Sequence, residues 1–144
     1  MGFKTKAFGA ACVVCAAISG FVFSSRSTGN LSEVHKDLQI LADCAIKKTP
    51  VDFVVIDGLR TAQEHLINVA NGRSWTKRSR HQDGLAIDFA AYVDGKITYK
   101  SKYYKPIADA FYACGEKHDI RITWGGEWRA QDLMHIELHR KDYP

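Results

Sequence analysis

Gly84-Leu85-Ala86-Ile87-Asp88-Phe89-Ala90 alternates along its length, with Leu85, Ile87 and Phe89 on one face of a strand and Ala86, Asp88 and Ala90 on the other. One face packs. The other carries a carboxylate between two alanines, which leave room that the larger polar residues of a solvated strand would fill. The same alternation returns in Met134-His135-Ile136-Glu137-Leu138, where His135 and Glu137 share a face and three apolar residues share the other. The polar faces of these two strands can converge. His81 lies seven positions before Asp88, an odd offset that aims it at the opposite face of one straight strand. The chain has to bend between them, and Gly84 permits the bend. Two neutral imidazoles and one carboxylate form a set of the kind that holds a catalytic zinc and leaves a fourth position for water. A zinc peptidase is the expectation.

Working outward, Leu31, Val34, Leu38, Leu41 and Ala45 recur at helical spacing, which predicts one helix closed by Pro50. Residues 52–57 read as a strand. Thr61-Ala62-Gln63-Glu64 reads as a capping box opening a helix that ends near Gly72, so Arg60 sits at a strand-to-helix junction. A hairpin over 92–99 turns at Asp94-Gly95. A helix over 108–117 and a strand over 121–124 precede the final strand. Helices and antiparallel strands in irregular order imply an α+β fold: a small single domain with a mainly antiparallel sheet and flanking helices. A length of 144 residues and an apolar share of 46% suit one core.

The front of the chain differs from the rest. Residues 1–30 contain Lys4, Lys6 and Arg26 and no acid, which leaves 17 basic against 16 acidic residues for the remainder. The formal charge of +4 therefore belongs mostly to this segment and does not predict nucleic-acid binding. Ala7 to Phe23 is uncharged, short for a bilayer span and long for the apolar core of a cleaved signal. Residues 1–30 are read as a signal peptide or signal-anchor, with small-residue cleavage sites after Ser19 or Ser24, and residues 31–144 as the catalytic domain. Either reading sends the body to the periplasm or exterior, free or first tethered to the inner membrane by residues 7–23.

Ser79-Arg80-His81-Gln82-Asp83-Gly84-Leu85-Ala86-Ile87-Asp88, followed by Asp132-Leu133-Met134-His135, resembles the zinc D-Ala-D-Ala carboxypeptidase and L-alanyl-D-glutamate endopeptidase family, above all its bacteriophage endolysins. The likeness takes in Gly58-Leu59-Arg60-Thr61 with Gln63, and Trp124-Gly125-Gly126-Glu127-Trp128, where Glu127 replaces the Asp expected in many relatives. It implies a hedgehog/D-Ala-D-Ala peptidase-like fold acting as a monomer on peptidoglycan stem peptides. His81, Asp88 and His135 would hold one zinc ion, Asp132 would be the general base and Arg60 would stabilise charge on the substrate. Ser79, Gln63 and Trp128 would contact the substrate. The N-terminal segment resembles the signal-arrest-release segments of some phage endolysins.

The L-alanyl-D-glutamate bond is the expected target, with a D,D-carboxypeptidase as the nearest alternative. A non-catalytic zinc module of the hedgehog type and a membrane-anchored lysis protein are further readings. The presence of both Asp132 and Arg60 favours an enzyme. The loop 73–80 carries Arg73, Lys77, Arg78 and Arg80 around Trp75. Basic and aromatic residues together can bind single-stranded nucleic acid, but this loop runs into the metal motif and suits attraction of an acidic stem peptide better. His35, His65, His118 and His139 match no motif and are expected in solvent. Cys44 and Cys114 can pair if the fold brings them together in an oxidising compartment. Their helical apolar surroundings favour two separate buried thiols.

Overall fold

The computed structural model describes residues 20–144. Most of the expected signal or anchor segment, through Ser19, lies outside the described residues. Five strands, β1 (Phe53–Asp57), β2 (Ala86–Val93), β3 (Lys96–Thr98), β4 (Ile122–Trp124) and β5 (His135–Leu138), form one antiparallel sheet. Its order is β1-β2-β5-β4, with β3 pairing the C-terminal half of β2. The β2–β3 hairpin turns at Asp94 (φ 52°) and Gly95 (φ 76°), the pair of positive dihedrals that an Asp-Gly turn supplies. The expected α+β architecture is the one observed.

Among the described residues, four helices accompany the sheet: α1 (Ser25–Ser32), α2 (Lys36–Lys48), α3 (Ala62–Ala70) and α4 (Tyr104–His118). Leu38, Leu41, Ala42, Ala45 and Ile46 of α2, with Ile107, Ala108, Phe111 and Cys114 of α4, are buried in the same core as Phe53 and Phe89 of the sheet. Phe53, Phe89 and Phe111 meet with ring centroids 5.5–6.0 Å apart. Each such fully buried side chain contributes about 1.5–3 kcal/mol over its exposed state. Truncating Phe89 at the middle of this cluster would cost about 3–5 kcal/mol.

Several elements depart from expectation. The helix expected to run unbroken from Leu31 toward Pro50 is two helices, because His35 interrupts it: its ring Nδ1 accepts from the Asp37 N–H at 3.1 Å and caps α2. Leu31, Val34 and Leu38 are nonetheless all buried, so the periodicity continues across the break. The helix expected from residue 108 begins at Tyr104, with Pro106 tolerated in its first turn. Cys44 and Cys114 are not separate thiols; packing of α2 on α4 brings their Cα atoms to 5.9 Å and they form a disulfide.

The packed body also reaches back past residue 31. Ser27 is buried and its hydroxyl accepts from the Val55 N–H at 3.1 Å, while the Asn30 side-chain amide donates to the Val55 carbonyl at 2.9 Å. Phe23 stands edge-on to Phe53 at 5.5 Å. Among the described residues, no helix is long and apolar enough to cross a membrane.

Candidate metal centre

The register of β2 against β5 makes Asp88 the direct cross-strand partner of His135, and Ala86 the partner of Glu137. Directly opposed residues project to the same face, so the alternation of both strands converges there. His81 arrives from a single 3-10 turn, Arg80–Asp83, capped by the Ser79 hydroxyl. Gly84 ends that turn with φ 67°, a left-handed conformation that lets the chain double back into β2. The Arg80 guanidinium donates to the Leu138 carbonyl at 3.0 Å and ties the turn to β5.

One ligand atom from each of His81, Asp88 and His135 lies within 4.8 Å of the others, a group that could hold a metal ion. His81 Nε2 and His135 Nδ1 are each 3.2 Å from Asp88 Oδ1. His81 Nδ1 lies 2.8 Å from the Gly58 carbonyl, which can only accept, so Nδ1 carries the proton. A neutral His81 then presents a lone pair to a carboxylate oxygen. Two lone-pair atoms at that spacing need a proton or a cation between them, so the donor set fits a bound metal.

Charge follows from these contacts. Burial alone would raise the Asp88 carboxyl, but the hydrogen bond from His135 and the adjoining His81 ring hold it well below the usual carboxylate range. Burial alone would lower His135, yet the Asp88 and Glu137 carboxylates on its two ring nitrogens push it up to about 9. Asp132 is raised above the ordinary carboxylate value, first by burial and then by the Asp88 charge. It lies just before β5, where its N–H donates to the Gly125 carbonyl at 2.9 Å. A Cβ at Gly125 would come within 2.4 Å of the Asp132 carbonyl oxygen, so only glycine allows this approach.

Asp132, Arg60, Ser79 and Trp128 line one cleft with the three ligand candidates. Arg60 is pinned: its guanidinium pairs with Asp57 and lies 3.6 Å from Asp88 Oδ2. The Trp128 ring packs 5.1 Å from that of His135. Gln63 does not join them. It is exposed on the first turn of α3, two residues and thus more than half a turn from the buried His65. His65 is itself a correction: it is 2% exposed, with Nε2 2.9 Å from the Thr76 carbonyl, and so anchors the basic loop. The strand alternation put Glu137 on the face of His135 but gave it no partner. Glu137 is 2% exposed, and its carboxylate meets His135 Nε2 at 3.1 Å and Arg140 Nε at 2.8 Å.

A sequence model of the phage L-alanyl-D-glutamate peptidase family matches residues 19–144. The L-alanyl-D-glutamate peptidase of Escherichia phage T5 is 35% identical over 127 residues, covering 85% of this chain and 93% of that protein. The protein of the same name from Listeria phage A118 is 26% identical over 125 residues, which span 84% of this chain but only 43% of the longer relative. Among solved structures, the Serratia marcescens L-Ala D-Glu endopeptidase ChiX superposes with a TM-score of 0.81 at 36% identity, covering 90% of this chain and 98% of its own.

Proposed function

The chain belongs to the phage L-alanyl-D-glutamate peptidase family, and from that membership we propose that it is a zinc-dependent endolysin. It cuts the L-alanyl-D-glutamate bond of peptidoglycan stem peptides. The observation that carries the zinc assignment is the equal 3.2 Å spacing of Asp88 Oδ1 from His81 Nε2 and His135 Nδ1. Ligand atoms about 2.0–2.1 Å from one ion at tetrahedral angles stand about 3.3 Å apart. His81, Asp88 and His135 would hold the ion, which supplies Lewis acidity toward the hydrolytic water and the scissile carbonyl.

The rest of the chemistry belongs to the chain. The Asp132 carboxylate takes the proton of the attacking water and returns it to the departing amine, and its raised pKa brings it nearer the working pH. Arg60, fixed by Asp57, keeps a cation beside the site where an oxyanion develops. Trp128 and Ser79 border the cleft, and the loop of Arg73, Trp75 and Arg78 on its rim draws in the carboxylates of the stem peptide. The segment before Gly20 serves export or membrane tethering, which brings the body to its substrate outside the cytoplasm.

Digestion of purified peptidoglycan by the full chain with zinc, followed by mass identification of the new ends, tests the reading. New L-alanine carboxyl and D-glutamate amino ends are expected, abolished by chelation. Released terminal D-alanine would make the protein a carboxypeptidase instead. No cleavage in the presence of bound zinc would make it a binding module.

A further inference from the structure

Glu137 is an acidic residue in the interior with no part in the chemistry above. It lies on β5 two positions after His135, opposite Ala86 on β2 and Thr123 on β4. The small Ala86 leaves space for its side chain on the metal face. Its exposure of 2% makes an uncompensated charge expensive, so its partners decide its role. There are two. Oε2 is 3.1 Å from His135 Nε2, the ring nitrogen facing away from Asp88, and Oε1 accepts from Arg140 Nε at 2.8 Å, with Arg140 Nη2 a further 3.3 Å contact to Oε2. The far nitrogen of His81 is held in the same manner by the Gly58 carbonyl at 2.8 Å. Both imidazoles of the site are thus fixed from behind by an oxygen acceptor, one neutral and one charged.

Resting on the metal-binding reading of the site, we propose that Glu137 is a positioning residue for the metal. It fixes the His135 tautomer with the proton on Nε2, turns Nδ1 toward Asp88 and raises the basicity of that nitrogen as a ligand. Arg140 locks Glu137 in this orientation. A carboxylate behind a ligating histidine sets both ring orientation and donor strength, and its loss typically costs about 10–100-fold in metal affinity or activity. The alternative role, proton transfer to substrate, is ill served by a buried carboxylate whose two oxygens are already engaged by His135 and Arg140.

The test compares wild type with Glu137→Gln, Glu137→Ala and Arg140→Ala in the full chain. Zinc affinity is read by competition with a metallochromic chelator, and the cobalt-substituted proteins are compared by visible absorption. Glu137→Ala is expected to weaken zinc binding by about 10–100-fold and to alter the cobalt spectrum. Glu137→Gln keeps a neutral acceptor for Nε2–H and should fall between Ala and wild type. Arg140 has a side chain 67% exposed, so Arg140→Ala remains folded even if a Glu137 variant does not, and should weaken zinc binding by a smaller factor. With saturating zinc, kcat should fall while KM holds. Unchanged zinc affinity in Glu137→Gln and Arg140→Ala overturns the proposal, as does a loss of kcat with affinity intact, which would make Glu137 a proton carrier. Wild type that binds no zinc would instead sink the metal reading on which the proposal stands.

Discussion

Asp132 is three residues from His135, and the His135 N–H donates to its carbonyl at 3.3 Å, so the proposed base and the proposed ligand share one short piece of backbone. Replacing the carboxylate by an isosteric amide should leave that backbone and the metal in place. Asp132→Asn is therefore expected to retain zinc and lose about 10²–10⁴-fold in kcat. Full turnover in this variant would mean that another group takes the proton. His135 makes a second prediction. In the metal-free protein its pKa is pushed up to about 9, so at pH 7 the imidazolium must lose a proton before Nδ1 can ligate. Zinc affinity should accordingly rise by about tenfold per pH unit between pH 6.5 and 8.5, measured by chelator competition, with one proton released per ion bound. A flat profile would show that His135 is already neutral. The grouping of His81, Asp88 and His135 was legible from the alternation of two strands and the bend at Gly84. The support behind them was not. Glu137 lies two residues along the same strand, where alternation put it on the face of His135 but could not show its carboxylate on the ring, and Gly58 acts across 23 residues of chain, which no local pattern reports.

Helix α3 reverses the usual polarity. Its polar His65 faces the interior while Leu66, Ile67 and Val69 are exposed, so a reading by apolar periodicity puts the wrong face inward. The capping box that starts this helix was legible because Thr61 and Glu64 need only each other. The buried histidine was not, because its purpose lies at Thr76, eleven residues away in the basic loop. That bond leads to a prediction about the loop rather than the metal. His65→Leu keeps an apolar filler in the interior but frees the Thr76 carbonyl, loosening the segment that presents Arg73, Trp75 and Arg78 to the cleft. KM for peptidoglycan should rise by about 3–10-fold with zinc affinity and kcat held, the scale of about 1 kcal/mol for one lost hydrogen bond. Faster amide exchange confined to residues 73–80 should accompany it. An unchanged KM together with unchanged exchange would free the loop from His65.

The whole molecule is held at two places that sequence patterns did not reveal, and both concern where it is folded. The Cys44–Cys114 bridge joins α2 to α4 across 70 residues of chain. Closing a loop of that length stabilises by about 4 kcal/mol in the chain-entropy account, so Cys44→Ala should lower the unfolding free energy by about 2–5 kcal/mol. Equal urea midpoints for bridged and Cys44→Ala protein would overturn that. Such a bridge persists only in an oxidising space, in keeping with a body that works outside the cytoplasm. The second place is the junction with the N-terminal segment. Cleavage after Ser24 would remove the half-buried Phe21 and Phe23 and the Ser24 hydroxyl that caps α1 by accepting from the Ser27 N–H. It would also set a new positive amine at the N-terminus of that helix, against its dipole. One cap contributes about 1 kcal/mol, and two half-buried rings about 1 kcal/mol each. A chain beginning at Gly20 should therefore be about 2–4 kcal/mol more stable than one beginning at Ser25, measured by urea unfolding of the two proteins. If they unfold alike, residues 20–24 contribute nothing to the fold and either serine can end a signal. If the longer chain is more stable, only a cut after Ser19 leaves the body whole, because the same five residues then belong to the enzyme and not to its leader.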